Sequence, residues 1–436
     1  MSRTIRVAAV QLQAHDADDF AHAVGEIAAT ARSAASDADL VVLPEATFPG
    51  YVLGDARVDH AAIGGALDLL RDVARDTRAV VVAGAALRDA RGLRNAAVVI
   101  DGDGSIAGSA DKIFLWHFDR LWFAPGERIA PVATSIGSLG VLVCADGRIP
   151  TIARELVDGG AELLVMPTAW VTSGRNPQSL ENVQADLLAR VRARENAVPF
   201  VAANKCGVER GMVAYCGKSQ IVDAAGNVLA IASQGTPAIV TATVAIEPHS
   251  GARDDARAVP NVSSSRTRPM RVVIGGGALP SDIERRLELL GGDCALAPEG
   301  AAGASLDGEL PCARVDDGVM LDPGALVAYR RAGYVWAAWT AHGPPEWIEP
   351  LARARALELR MYVVVFDAAA RRAYAVDPDG AVIAGTFGDY RLASFALDPR
   401  RTAETTVAPG TDVADALERV AAIVQRTASR KGRAEP

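Results

Sequence analysis

The sequence predicts an α/β protein of two domains, and three observations lead there. Short valine- and leucine-rich runs alternate with alanine-rich stretches of helical period through the N-terminal half. A polar stretch, EPHSGARDDARAVPNVSSSRTRP from Glu247 to Pro269, has no apolar period, and a fresh set of apolar runs starts at Met270. The length of 436 residues, half of them apolar, supplies core for one large or two ordinary domains.

Composition limits the function classes. A net charge of −8, with no basic run beyond RKGR near the C-terminus, predicts no nucleic-acid partner; a small neutral or cationic ligand fits better. Five cysteines at irregular spacing, with no CxxC pair, form neither a disulfide framework nor a zinc-ribbon pattern and predict a reducing compartment. The start, MSRTIRVAAVQLQ, passes straight into strand-like alternation, and no run reaches membrane-spanning length, so a cytoplasmic protein without a membrane partner is expected.

Taken in order, Ile5 to Leu12 reads as a strand, and Phe20 to Ala35 as a helix with Phe20, Val24 and Ile27 on one face. DLVVLPE, Asp39 to Glu45, is a buried strand followed by ATFPGY, a loop too apolar for an ordinary surface turn. A carboxylate at the end of such a strand faces the crevice that strand ends form, where desolvation suits it to carry a proton near neutrality. A helix cap or a surface ion pair would use Glu45 equally well. A helix from Ala61 to Arg75, a strand from Ala79 to Leu87 and a paired strand from Asn95 to Ile100 follow. Ile106 to Leu115 then carries Lys112 in SADKIFL, a residue type that ordinarily lies on solvated faces. HFDRLWFAPGE concentrates Phe118, Leu121, Trp122 and Phe123 as a pocket wall or a packed loop. In GVLVCADGRIP, Val141 to Val143 form a strand, Ala145 to Gly147 break it, and Pro150 opens a helix pattern. A helix N-terminus aimed at Cys144 would favour thiolate and make this cysteine a nucleophile, although free cysteines also simply pack.

A cysteine, a lysine and a carboxylate at three strand ends are the groups that chemistry on an amide requires. The thiolate attacks the carbonyl carbon, the cation stabilises the oxyanion, and the acid protonates the departing amine. The order LPEATFPGY, ADKIFL with FAPG, and GVLVCADGRIP resembles the carbon-nitrogen hydrolase, or nitrilase, superfamily. The resemblance implies a four-layer α-β-β-α sandwich, catalytic roles for Glu45, Lys112 and Cys144, and no metal or organic cofactor. It continues through AELLVMPTAW, through a long helix from Leu180 to Asn196 with Leu180, Val183, Leu187 and Val191 on one face, and through VAANKCG and CGKSQIVDAAGNVLA as a strand pair, covering Thr4 to Glu247. Asp119, Ala145 and Trp170 are the implied substrate-binding positions, with His117, Phe118 and Trp122 near the pocket.

There are departures from the family pattern. Many members carry a second glutamate where this chain has Asp119, and the shorter side chain withdraws the carboxylate by more than about an ångström, a distance that matters wherever positioning does. Thr151 stands where glutamate is common. Asp146 and Arg148 match a frequent C-x-D-x-R pattern, read as an ion pair shaping the turn. Ala145 and Asp146 replace the Trp and Glu usual in nitrile-hydrolysing members. The expected activity is therefore cysteine-dependent hydrolysis of a carboxamide or N-carbamoyl group through a thioester. Nitrile hydrolysis, acyl transfer and a non-catalytic binding or scaffold role stand as alternatives.

In the second half, VVIGGGALPSD lacks the GxGxxG spacing of a dinucleotide site. MRVVIGG parallels TIRVAAVQ; DCALAPEG parallels DLVVLPEA, with Glu299 in the place of Glu45; AGYVWAAWTA parallels GAELLVMPTAW; and AYAVDPDGAVIAG parallels SQIVDAAGNVLAI. Self-similarity in this order predicts a shortened, degenerate copy over 270–400, after a catalytic domain at 1–250 and a linker at 251–269. No counterpart of DKIFL or VLVCADGRIP occurs, and Cys294 and Cys312 lie on the wrong elements, so the copy is expected to be inactive. It would make the chain an intrachain pseudo-dimer, with homo-oligomerisation the other possibility. Residues 401–436 are expected to form a helix from Val413 to Val424, with Val413, Leu417, Val420 and Ile423 on one face, and a disordered polar tail.

Overall fold

In the computed structural model, which describes residues 3–172, 180–247, 259–263, 266–298, 300–303, 310–387 and 391–431, the chain forms two compact units. The first takes the described residues up to 247 together with 408–411 and 415–431; the second takes 259–407 and 412–414.

The first unit is built on two sheets. β1 (Arg3–Gln13) and β2 (Leu40–Val42) run parallel to β3 (Val80–Asp89), which turns antiparallel into β4 (Gly92–Ile100) and then β5 (Ile106–Asp111). β6 (Val132–Thr134) pairs antiparallel with β7 (Gly137–Val141), and β7, β8 (Leu163–Pro167) and β9 (Phe200–Ala203) run parallel in the second sheet. β10 (Lys205–Glu209) and β11 (Val213–Cys216) return to the first sheet, beside the C-terminal end of β1. β12 (Gln220–Val222) and β13 (Val228–Ile231) extend the second sheet, and β14 (Ala238–Ile246) lies antiparallel along β1.

Helices α1 (Phe20–Ala35) and α2 (His60–Thr77) cover the outer face of the first sheet, where Ile27, Ala31, Leu67, Leu70 and Val73 pack on Val10, Val41, Val81 and Ala83. The alternate residues Val7, Ala9, Val42 and Val82 are also fully buried, facing the second sheet. A strand covered on both faces must be apolar throughout, which is why these runs do not alternate in hydrophobicity. α3 (Pro150–Asp158) and α4 (Ala189–Asn196) cover the outside of the second sheet, completing a mixed α/β sandwich of four layers.

Several elements differ from the sequence reading. The long helix opens at residue 183, not 180, because the Asn182 carboxamide accepts the Gln184 N–H at 2.9 Å while donating to the Val171 carbonyl at 2.9 Å. Its first turns, Gln184–Leu188, are π-helical, so the apolar face rotates; Leu180, Val183 and Leu187 are half-exposed, while Gln184, Leu188 and Arg192 are buried. VAANKCG is not one strand of a pair. The chain crosses from one sheet to the other at Asn204, whose buried amide accepts from Trp170 N and donates to Gly217 O, each at 2.7 Å, in place of ladder bonds.

In the second unit, β15 (Met270–Gly275) lies parallel to β16 (Cys294–Ala297) and antiparallel to β23 (Leu392–Leu397), and β17 (Gly300–Gly303) flanks β16. The other sheet runs β18 (Ala313–Val315), β19 (Trp336–Ala341), β20 (Tyr362–Asp367), β21 (Arg372–Val376) and β22 (Val382–Gly385), the first three parallel and the rest antiparallel. That is the succession of β7, β8, β9, β12 and β13. Glu299 and residues 251–258 and 264–265 of the linker lie outside the described residues; 259–263 and 266–269 are described, and Val262 N donates to Ala332 O at 2.7 Å.

The C-terminal helix runs from Val413 to Lys431, longer than expected, with Val413, Leu417, Val420 and Ile423 buried. The start of the tail expected to be disordered therefore continues the helix, while 432–436 lie outside the described residues. Among the described residues no helix is long and apolar enough to cross a membrane.

Candidate active site

Three strand ends of the first unit converge on one buried ammonium group. Lys112, directly after β5, places Nζ 2.7 Å from Oε1 of Glu45 and 2.6 Å from Oδ2 of Asp119, with all three side chains sealed from solvent. Asn95 on β4 donates to the same Glu45 oxygen at 2.7 Å, and the Tyr51 ring centre lies 5.5 Å from Nζ. Burial alone would lower the lysine pKa; the Asp119 and Glu45 carboxylates, with a smaller contribution from Cys144, overcome it and hold the pKa well above the ordinary lysine value. Glu45 Oε2 and Asp119 Oδ1 are buried and have no hydrogen-bond partner.

Local backbone explains the placement. The chain after β2 folds back over β3: Gly84 N donates to Pro44 O and Phe48 N to Gly84 O, each at 3.1 Å, and a Cβ on Gly84 would strike Ala46 N, Pro44 O and Glu45 Cα. Only glycine allows that approach. Asp119 reaches Lys112 despite its short side chain because His117–Leu121 forms a 3₁₀ turn in which Trp116 N donates to Asp119 Oδ2 at 2.9 Å.

Cys144 follows β7 with φ of 47°, a left-handed value unusual for a non-glycine residue and typical of strained functional turns. α3 opens at Pro150, as the sequence predicts, and not at the thiol itself. A short 3₁₀ turn, Cys144–Arg148, and an extended Ile149 precede α3. Burial, then Glu45, push the Cys144 thiol up; Lys112, the Thr168 hydroxyl and the Ala169 backbone oppose this in part. Burial thus works against the thiolate at this position, and the Lys112 ammonium works for it.

The expected Asp146–Arg148 ion pair does not form. Asp146 instead accepts three backbone N–H groups, from Ile113 at 3.0 Å, Phe114 at 2.7 Å and Val143 at 3.1 Å, so that one carboxylate ties the segment after Lys112 to the strand before Cys144. Burial outweighs those bonds and raises its pKa to about 7. The Arg148 guanidinium stacks over Trp116, 4.3 Å from the ring centre, and burial lowers its pKa to about 10. Ala145 and Trp170 are buried, and the Trp170 indole N–H has no partner. Phe118 packs on Tyr51 and Trp122, with centroids 5.3 and 5.4 Å apart. A cavity of about 490 Å³ between β5 and the 127–133 segment touches Asp146 but none of Glu45, Lys112, Asp119 or Cys144. No group of three or more His, Cys, Asp or Glu side chains able to hold a metal occurs among the described residues.

Sequence reasoning missed a second buried network. Glu209 accepts Tyr51 N at 2.7 Å, Val52 N at 2.6 Å and the Tyr215 hydroxyl at 2.6 Å, and pairs with Lys205 at 3.1 Å. Lys205 in turn donates to Ala46 O at 3.2 Å, so this pair anchors the loop that follows Glu45. Arg192 on α4 donates to Gly147 O at 2.9 Å, supporting the cysteine turn from behind. Asn95 had a legible signal, a lone amide inside an apolar strand; Glu209 had none for its role at the site, since the Tyr51 and Val52 N–H groups it holds lie more than 150 residues away in sequence.

A family model described as carbon-nitrogen hydrolase matches residues 6–253. A probable nitrilase of Schizosaccharomyces pombe is 28% identical over 215 residues, 48% of this chain and 76% of that protein. An (R)-stereoselective amidase of Pseudomonas sp. is 30% identical over 227 residues, 52% of this chain and 80% of its own length. Among solved structures, a glutamate-to-glutamine mutant of the amidase from Nesterenkonia sp. AN1 superposes with a TM-score of 0.50 at 28% identity, covering 55% of this chain and 89% of that one. That structure shows covalent addition of the acetamide moiety of fluoroacetamide at its active-site cysteine.

Proposed function

Since the chain belongs to the carbon-nitrogen hydrolase family, we propose that it hydrolyses the C–N bond of a carboxamide or N-carbamoyl group through a thioester on Cys144. The observation that carries the reading is the buried Lys112 ammonium held between the Glu45 and Asp119 carboxylates, with Cys144 in the same electrostatic environment. In this reading the Cys144 proton passes to Glu45 as the sulfur attacks the carbonyl carbon. Glu45 Oε2, buried and unpartnered, is the oxygen free to take it. The oxyanion forms against Lys112, which Asp119 keeps charged and in place. As the C–N bond breaks, Glu45 returns the proton to the leaving nitrogen, and ammonia or an amine departs. Water then gives a proton to Glu45 and adds to the thioester carbonyl; the C–S bond breaks, the acid leaves, and the sulfur recovers its proton. Ala145 and Trp170 border the acyl group, with the unpartnered indole N–H of Trp170 available to a substrate oxygen.

The second unit is a shortened, inactive copy in the same reading. Two features support this: its strand succession, and the buried pair Arg355–Glu358, whose arginine donates to Met320 O at 2.9 Å much as Arg192, beside Glu195, donates to Gly147 O at 2.9 Å.

The test is ammonia release from a panel of carboxamides, N-carbamoyl amino acids and nitriles by wild type and Cys144→Ala. Release from an amide or carbamoyl compound, lost in the variant and accompanied in wild type by an acyl adduct on Cys144, is expected. Release that survives Cys144→Ala, or that occurs from nitriles alone, would overturn the reading.

A further inference from the structure

His117 opens the turn that carries Asp119, with φ of 47°, a left-handed conformation that a non-glycine residue keeps only when its surroundings hold it. What holds it comes from the far end of the chain. The His117 N–H donates to Oγ1 of Thr411 at 2.7 Å, and Thr411 is fully buried. An N–H at the start of a helical turn has no partner within the turn and takes one from outside, here the Thr411 hydroxyl. Three further bonds complete the turn: Asp119 N to Trp116 O at 2.9 Å, Trp116 N to Asp119 Oδ2 at 2.9 Å, and Lys112 Nζ to that same Oδ2 at 2.6 Å. Residues 408–411 and 415–431 group with the first unit, and Leu417, Val420 and Ile423 of the final helix are buried. Thr411 stands 294 positions beyond His117 and outside the 6–253 stretch that matches the family.

We propose that Thr411 is a positioning residue for Lys112: its hydroxyl fixes the His117 amide and with it the turn that presents Asp119 to the lysine. The inference rests on the proposed hydrolase reading and adds to it a dependence of the site on a C-terminal segment that the family match does not contain. Thr411→Val keeps the shape and removes the acceptor; Thr411→Ser keeps the acceptor.

Both variants are made in the full-length chain and compared with wild type on the best amide substrate, with active sites counted by iodoacetamide labelling of Cys144. One lost bond between a part-buried amide and a buried hydroxyl, acting on the placement of a charged group, is expected to lower kcat per labelled site about tenfold in Thr411→Val. KM stays within about twofold, because the lysine acts in the transition state and not in ground-state binding. Thr411→Ser returns kcat to near wild type. A purely structural role would reduce the number of labelled sites and leave kcat per site unchanged, and that result, or a serine variant as impaired as the valine one, overturns the proposal. Should wild type hydrolyse no amide at all, the hydrolase reading falls and takes the catalytic part of this proposal with it. Hydrogen exchange then decides the clamp by itself: faster exchange across 117–123 in Thr411→Val supports it, and equal exchange overturns it.

Discussion

Replacing Asp146 with alanine deprives three buried N–H groups, those of Ile113, Phe114 and Val143, of their acceptor. Each unsatisfied buried donor costs about 1–3 kcal/mol, so the lost bonds destabilise by roughly 3–9 kcal/mol. Against this stands the cost of burying the carboxylate itself. Its pKa is raised from the ordinary 3.8 to about 7, so folding favours the protonated form. For an acid raised in this way, the unfolded chain binds fewer protons than the folded one between those two values, and wild-type stability falls as pH rises through the window. Integrated, the penalty amounts to about 4 kcal/mol at pH 8 and less than half of that at pH 5. The alanine variant escapes the penalty altogether. The gap in unfolding free energy between wild type and Asp146→Ala should therefore be wider at pH 5 than at pH 8 by about 2–3 kcal/mol. Urea denaturation of both proteins at the two pH values measures it, and every other titrating group common to the pair cancels. A gap that is equal at both pH values, or narrower at pH 5, would refute the reasoning, since it would mean that the three N–H donors and not burial set the carboxyl's protonation.

Two further outcomes are expected. Because Glu45 is the second-largest influence raising the Cys144 pKa, Glu45→Gln should quicken alkylation of Cys144 by iodoacetamide at pH 8 while abolishing turnover; slower alkylation would show that the carboxylate activates the resting thiol instead. Gly84→Ala forces a methyl group onto Pro44 O and Glu45 Cα, so it should destabilise by about 2 kcal/mol or more and cut activity at least tenfold, measured by urea denaturation and by kcat per labelled Cys144.

The legibility of the site differed from residue to residue. Glu45 and Cys144 stand at the ends of apolar runs, where a strand end is visible in one dimension as the point at which the run stops; Lys112 follows the largely exposed strand IAGSAD and was legible only through the ADKIFL motif. Asp119 was legible only as a departure; that its carboxylate meets Lys112 depends on a left-handed turn at His117, a conformation histidine adopts more often than most residues but still uncommonly. The Asp146–Arg148 pairing failed because a motif records which residues are near in sequence and not which backbone donors the fold leaves empty. Asp146 found three of those within reach, and Arg148 settled over Trp116. The helix after Asn182 was misplaced for a related reason: the π turn at Gln184–Leu188 breaks the 3.6-residue period on which the apolar face was drawn.

By itself, then, the sequence determined the α/β class, the strand-end positions of Glu45 and Cys144 and the family pattern, because burial on both faces of a sheet demands unbroken apolar runs and the punctuation between them marks loops. The tertiary structure alone decided how those groups act on one another. The ion pairs of Lys112 with Glu45 and Asp119 and the service of Glu209, Arg192 and Thr411 to a site far from them in sequence all depend on distances of a few ångströms between segments separated by several to hundreds of residues. Electrostatic and hydrogen-bond energies vary over that range of distance, and a linear order of residues does not contain it.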